Sequence, residues 1–396
     1  MADAVTDLVV GSVRPLDLYR TDSLLTDDER DVRDRVRAFA EEHVRPVAGA
    51  AWERAEFQGQ LVPLLAELGV VGGSVQGYGC PTLSSVAYGL ATQELSRVDS
   101  SFATFFGVHS GLAMGAIAAC GSEKQKERWL PRMARCEIVG AFALTEPEHG
   151  SDAAHLTTSA VRDGDDYVLN GAKRWIGNGT ICDLAIVWAR ADDGIAGFLV
   201  ECPNAGFRAT VIEGKLSKRG VWQADIRLEG CRVPAASRMP VGGFRTVADI
   251  LSKTRHNVAW AALGEAIACY EAALAYARQR EQFGKPIGAF QLVQAKLVRM
   301  LDEITKAQLL AIQLGRLKDQ GLATPGMTAL AKLNNAAMAR EVAATAREIL
   351  GGSGILQDFD VMRHLCDLES VFTYEGTHEI NTLVVGREIT GLAAFV

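Results

Sequence analysis

Asp163-Gly164-Asp165-Asp166-Tyr167-Val168-Leu169-Asn170-Gly171 is where the texture of the chain changes. Asp-Gly and Asn-Gly are hairpin turn signals, because these residues accept the left-handed backbone of a tight turn, and here they bracket the short run 167–169. Residues 184–189, 197–201, 208–212 and 226–228 are further strand candidates, punctuated at the interval of a compact β-domain until Pro234 and Pro240 close the section. Upstream, the period is helical. Thr26 and Glu29 form a capping-box pattern, followed by Val32, Val36, Phe39, Ala40 and Val44 at helical spacing, with Pro46 ending or kinking that helix. Helical patterns recur over 60–68, 86–97 and 111–119, with a Gly-rich turn over 72–79 and a short polar-faced helix opening at Ser122 and stopping near Pro131. Residues 1–24 read as a loosely held lead-in. Downstream of Phe244 the helical period returns: Leu292, Ala295, Val298 (or Leu297), Leu301, Ile304 and Ala307 form one stripe, and residues 329–350 another, ending at Gly351-Gly352. The predicted fold is mainly α with a β-domain insert, divided at 1–137, 138–243 and 244–396. That order argues against a doubly wound α/β sheet.

Composition narrows the functional classes. The chain has 396 residues, 48% hydrophobic and 22% charged, as expected of a globular protein with two or three domains. A net charge of −7 without a Lys/Arg cluster argues against a nucleic-acid partner. The eight cysteines are scattered without a C-x-x-C pair, so reduced cytoplasmic thiols are expected rather than disulfides or zinc. The seven histidines lack paired ligand spacing, and no metal is expected. Residues 1–10 lack a leader pattern, no uninterrupted apolar run of about 18 residues suggests a membrane span, and the ending Ala-Phe-Val is not the common peroxisomal tripeptide.

Five segments carry candidate chemistry. In Phe372-Thr373-Tyr374-Glu375-Gly376-Thr377-His378-Glu379-Ile380-Asn381, Glu375 is the lone acid of the otherwise uncharged run 371–377. Held against apolar surface, a carboxylate becomes a better general base near neutrality; read alone, the same residue is equally an exposed turn acid. The loop from Phe142 to Asp152 offers Thr145 and Ser151 as hydroxyls for a polar ring or phosphate. Trp175, in Lys173-Arg174-Trp175-Ile176-Gly177-Asn178-Gly179, is either a stacking platform or core. Arg278-Gln279-Arg280-Glu281-Gln282-Phe283-Gly284-Lys285-Pro286, with Gln291, is either a pyrophosphate clamp or a solvated turn. Gly351-Gly352-Ser353-Gly354 permits close backbone approach or simply caps a helix, and it does not fit a dinucleotide fingerprint. No nucleophile elbow is present.

Taken in order, T-E-P-x-x-G-S-D, W-I-x-N, R-x-x-F-G, G-G-x-G and Y-E-G-T resemble the acyl-CoA dehydrogenase family over about residues 25–390. The resemblance implies an N-terminal helical domain, a middle β-barrel-like domain and a C-terminal four-helix bundle, assembled as a homotetramer or dimer. It implies FAD-dependent α,β-dehydrogenation of an acyl-CoA, or acyl-carrier-protein, thioester, with electron-transfer flavoprotein as acceptor. By the same resemblance Glu375 is the α-proton base, its own N–H binding the thioester carbonyl. Phe142, Leu144, Thr145, Ser151 and Trp175 match flavin-lining positions. Arg280, Gln282, Phe283, Gln291 and Gly352 match the stretch holding the ADP half of FAD across a subunit interface. Thr377 and Glu379 match further FAD contacts, and Ser151, Arg255 and Gly376 match the substrate cleft. Some relatives carry the base at the position of Thr254, which cannot serve.

Two departures bear on substrate and acceptor. The nearest branch is similar to glutaryl-CoA dehydrogenases, through Arg97-Val98-Asp99-Ser100 and the Gly386–Gly391 ending, written Gly386-Arg387-Glu388-Ile389-Thr390-Gly391. That branch clamps a distal carboxylate with Arg and Glu, and these positions fall here on Ala103 and Ser96. A neutral short or medium acyl chain is therefore expected, since a buried unpaired carboxylate is costly. Gly177 stands where many dehydrogenases have Thr, and plant short-chain acyl-CoA oxidases share W-I-G-N and a stretch similar to residues 104–110. An oxidase, a glutaryl-CoA dehydrogenase and a non-catalytic thioester-binding homologue remain alternatives.

Overall fold

The computed structural model describes residues 14–395. The leader reading, the lead-in as far as residue 13, and Val396 lie outside them. The rest of the lead-in is docked: Thr21 is buried, its hydroxyl donates to Asp17 at 2.7 Å, and Leu16 packs on the C-terminal core.

Helix α1 (Asp27–Phe39) starts at the predicted capping box. Thr26 N–H donates to Glu29 Oε2 at 2.9 Å, and Glu29 N–H donates to Thr26 Oγ1 at 3.3 Å. Pro46 does not end the helix. A π-turn at Ala40–Val44 absorbs the missing N–H, and α2 (Arg45–Arg54) continues with Pro46 in its first turn. Then follow α3 (Val62–Glu67), α4 (Ser85–Val98), α5 (Ser100–Phe106), a π-turn at Gly107–Ala113, α6 (Met114–Cys120) and α7 (Glu123–Ala134). The last runs through Pro131, one turn beyond exposed Glu127, whose carbonyl loses its helical donor on the solvent side. Alongside α4, Gly89 and Gly264 are close-approach positions: a Cβ would lie 2.3 Å from Trp260 Nε1 and 2.2 Å from the Gln93 carbonyl, respectively.

The middle section is a seven-stranded sheet of β1 (Gly140–Ala143), β2 (Ser159–Asp163), β3 (Asp166–Gly177), β4 (Leu184–Ala191), β5 (Gly194–Glu201), β6 (Phe207–Val211) and β7 (Gln223–Pro234). Its order is β1-β4-β2-β3-β7-β6, with β5 pairing β4. Asp163-Gly164 makes the expected hairpin, Asp163 pairing Asp166 with Gly164 at φ 63°. Asn170-Gly171 does not turn the chain. It is a bulge inside β3, where a Cβ on Gly171 would meet Thr158 Oγ1 at 2.5 Å and Asn170 Oδ1 accepts from Gly230 N–H. Strand β4 is buried on both faces: Leu184, Ile186 and Trp188 pack toward the N-terminal helices, and Ala185, Val187 and Ala189 into the sheet's own core.

The C-terminal section holds α8 (Phe244–Gln279), the small hairpin β8 (Glu281–Gln282) and β9 (Lys285–Pro286), α9 (Gln291–Asp319) and α10 (Pro325–Leu350), then α11 (Val361–Thr373) and α12 (His378–Thr390). The bundle's fourth helix is thus broken in two at Tyr374–Thr377. On α9 the buried stripe is Leu297, Met300, Ile304 and Ala307, whereas Leu292 and Val298 are 81% and 67% exposed. Ser100–Cys120 and Phe244–Gln279 are apolar enough on average to cross a bilayer, which a search for uninterrupted runs passes over. In this fold both are core helices, with 61% and 72% of the apolar window buried.

Candidate active site

A cavity of about 1920 Å³ lies where α4, α5, the π-turn at Gly107–Ala113, the β1 edge, α8 and the α11–α12 break converge. The break places Glu375 at φ 53° and Gly376 at φ 89°, and the next helix begins when Thr377 Oγ1 accepts from Ile380 N–H at 3.2 Å. A non-glycine residue in the left-handed region is strained and needs surrounding support. That support is visible. Arg255 Nε donates to the Glu375 carbonyl at 2.8 Å, while Lys332 Nζ and Asn381 Nδ2 both donate to the Gly376 carbonyl, at 2.9 and 2.7 Å. The N–H groups of Glu375 and Gly376 have no acceptor among the described residues.

The Glu375 carboxylate faces the cavity and accepts from Thr254 Oγ1 at 2.9 Å. Burial pushes its pKa up to about 7, against the opposing pull of Thr254, Arg255, Lys332 and Lys318. Burial also lowers Lys332 and Lys318 to about 8. The rival acids of the 142–152 loop are different. Burial raises Glu146, but Lys173 and the Thr157 and Thr158 donors outweigh it and hold the pKa down to about 2; Glu148 is exposed. Beside Tyr374, Lys218 lies 5.9 Å from the ring and pairs with Glu265 at 3.2 Å, with Ser100 between them.

Phe142, Leu144, Thr145, Ser151, Trp175, Arg255, Gly376 and Thr377 line the same cavity as Glu375. Glu379 is exposed and does not line it. Arg280, Gln282, Phe283, Gln291 and Gly352 are also outside it, in an exposed group at the far end of the bundle. Tyr276 on α8 donates to Ser353 at 3.4 Å, so the β8–β9 hairpin and the Gly351–Ile355 turn are neighbours there. Thr254, passed over because it cannot be a base, orients the base instead. Lys332 was also missed, although a lone Lys in the Ala-rich stripe of α10 was the available signal.

Family models for the N-terminal, middle and C-terminal domains of acyl-CoA dehydrogenase match residues 26–137, 141–231 and 242–390. The chain belongs to the acyl-CoA dehydrogenase family. A glutaryl-CoA dehydrogenase from Mycobacterium smegmatis is 45% identical with a TM-score of 0.95, covering 96% of this chain and 99% of its own. Another such structure from that organism, in complex with FADH2, is 43% identical with a TM-score of 0.95 and covers 97% and 100%. The human mitochondrial short-chain specific acyl-CoA dehydrogenase is 34% identical over 361 residues, 89% of this chain and 88% of the relative. Within this acyl-CoA dehydrogenase fold, Ala103 and Ser96 both line the cavity wall.

Proposed function

We propose that the protein uses FAD to dehydrogenate a neutral short- or medium-chain acyl-CoA across its α,β bond, with Glu375 as the base. The observation that carries this is the Glu375 carboxylate, tuned to about 7 inside a large cavity beside two unengaged N–H groups. The aromatic and aliphatic walls from Phe142, Leu144 and Trp175, with the Thr145 and Ser151 hydroxyls, fit a flavin ring and its polar edge. The FADH2 complex of a 43% identical relative supports the same assignment. When bound, FAD supplies the acceptor for the β-hydride and its electron pair. The chain's residues do the rest. Thr254 orients the carboxylate toward the α-carbon, whose proton it takes, while Arg255 and Lys332 hold the main-chain carbonyls of Glu375 and Gly376. The Glu375 N–H donates to the thioester carbonyl and stabilises the charge that develops there.

A charged acyl end is disfavoured. At the end of the cavity near Tyr374, Lys218 is already paired with Glu265, and Ala103 offers no charge. In anaerobic single-turnover mixing, butyryl-CoA therefore bleaches the flavin faster than glutaryl-CoA; faster bleaching by glutaryl-CoA, with release of CO2, contradicts this reading. For the acceptor we favour electron-transfer flavoprotein. Gly177 is the observation that keeps oxygen in view: a Cβ there would approach Val108 Cγ2 to 2.9 Å, so the position stays without a side-chain hydroxyl. Admitting air after bleaching separates the two acceptors, because an oxidase recovers its colour within the turnover time.

The exposed group around Arg280 and Phe283, the latter 94% exposed, fits cofactor contact across a subunit interface in a homotetramer or dimer. Arg280→Ala is expected to lose FAD on gel filtration while flavin that remains bound is reduced at the native rate. Unchanged FAD content refutes this role.

A further inference from the structure

Lys332 is a lysine inside the Ala-rich stripe of α10, 1% exposed, and its ammonium makes no ion pair among the described residues. Burying a cation without a counter-ion is costly, so the groups that hold it matter. Nζ donates to the Phe372 carbonyl at 3.0 Å and to the Gly376 carbonyl at 2.9 Å. Phe372 lies in the last turn of α11, where carbonyls lack helical donors and the helix dipole leaves partial negative charge. A cation belongs there. The Gly376 carbonyl lies on the other side of the break, so one nitrogen joins two main-chain oxygens that bracket Thr373, Tyr374 and Glu375. Arg255 and Asn381 each hold only one side of the bend, the Glu375 carbonyl and the Gly376 and Thr377 carbonyls respectively.

Resting on the assignment of Glu375 as the base, we infer that Lys332 is a positioning residue for the reaction. It clasps the carbonyls on either side of Glu375, fixes the bend that aims the carboxylate, and keeps a positive charge within electrostatic reach of it. The bend needs such a clasp because Glu375 sits at φ 53°, a backbone that persists only where its surroundings impose it. The charge acts on the base because few other groups oppose or share it. Facing the two side chains, α8 contributes Thr254 and Arg255, α9 Lys318, α12 Glu379, and the break itself Tyr374. Of the two acids that attract Lys332, Glu379 is exposed, which leaves Glu375 as the buried one. The attraction favours the ionised carboxylate, opposing the burial that raises it.

The test compares wild type, Lys332→Met and Lys332→Arg as FAD-loaded oligomers, reduced anaerobically by butyryl-CoA across pH 5.5–9. Without the cation the carboxylate holds its proton more tightly, so the acid limb of Lys332→Met moves up by about one pH unit. Reduction therefore falls ~10-fold below pH 7 and largely recovers on the alkaline plateau, while Lys332→Arg, which keeps charge and donors, stays near the wild-type midpoint. Hydrogen exchange at the Tyr374, Ile380 and Asn381 amides, which are bonded at the two edges of the break, reports on the clasp without any turnover. It is expected to quicken in Lys332→Met and not in Lys332→Arg. An unmoved midpoint, or a loss of rate that is equal at every pH, overturns the inference. If Lys332→Met does not retain FAD, Lys332→Gln gives the same comparison with a donor but no charge; loss of FAD from both makes Lys332 a residue of the frame alone and also overturns it. If no acyl-CoA bleaches the wild-type flavin, the proposed dehydrogenation falls, and the clasp is judged on exchange: unchanged exchange at those amides overturns it as well.

Discussion

Glu375→Gln slows flavin reduction by a neutral acyl-CoA by ~10²–10⁴-fold, the range that a positioned general base supplies. The amide keeps the size of the side chain and can still accept from Thr254 Oγ1, and the Arg255 bond to the main-chain carbonyl is untouched. Fold, FAD content and thioester binding are therefore retained while the basic oxygen is lost. Glu148→Gln, at an exposed position, leaves reduction near the native rate. Because burial holds Glu375 at about 7, the efficiency of reduction rises about tenfold per pH unit below 7 and levels off above it. The same shift has a stability sign. Between pH 4.5 and about 7 the native state binds a proton that the unfolded chain releases, so wild-type stability falls across that window. Glu375→Gln escapes this loss, and its melting temperature exceeds that of wild type at pH 8 but not at pH 4. A pH-independent reduction rate, or full activity in Glu375→Gln, removes Glu375 from the chemistry.

Lys173→Met lowers global stability by about 3–5 kcal/mol, the cost of leaving a buried carboxylate without its partner. Lys173 Nζ donates to Glu146 Oε1 at 2.9 Å and to the Leu144 carbonyl at 3.0 Å, and both side chains are almost wholly buried. Burial lowers Lys173 to about 8 although Glu146 opposes it, whereas pairing wins on Glu146 because that carboxylate also accepts from Thr157 and Thr158. The pair is ionised at neutral pH on both counts. The Glu146 contribution is present above its unfolded pKa near 4.5 and is lost as pH falls through about 2. Since Glu146 ties the loop bearing Thr145 and Ser151 to β3, the variant also retains less FAD. The urea midpoint at unchanged slope measures the stability change, and removing both charges together costs less than removing Lys173 alone. A midpoint within error of wild type contradicts the account.

The sequence displays some of this architecture because local chemistry decided it. The Thr26–Glu29 box and the Asp163-Gly164 hairpin form as read, each set by residues within four positions of one another. Where tertiary packing overrides local preference, the reading slips. Asn170-Gly171 is a bulge because Thr158 presses on the backbone, and Pro131 sits inside α7 because its helical acceptor is at the solvent face. Helix α5 was invisible to a periodicity search, since Phe102, Ala103, Phe105 and Phe106 are buried on nearly every side and show no polar face. Glu375 was legible as an isolated acid beside a glycine. Its supports were not: Thr254 and Lys332 come from helices distant in sequence, and only the folded chain brings them to the break between α11 and α12. The Arg280 and Gly352 segments resemble cofactor contacts, yet they are remote from the cavity within one chain.

The most direct measurement is anaerobic mixing of the FAD-loaded protein with butyryl-CoA, following flavin absorbance and the mass of the thioester together, in wild type and Glu375→Gln. The account predicts one flavin bleached for each thioester converted to a product two mass units lighter, in wild type only. Flavin that stays oxidised with butyryl-CoA and its six- and eight-carbon homologues, or equal bleaching in both proteins, would contradict it.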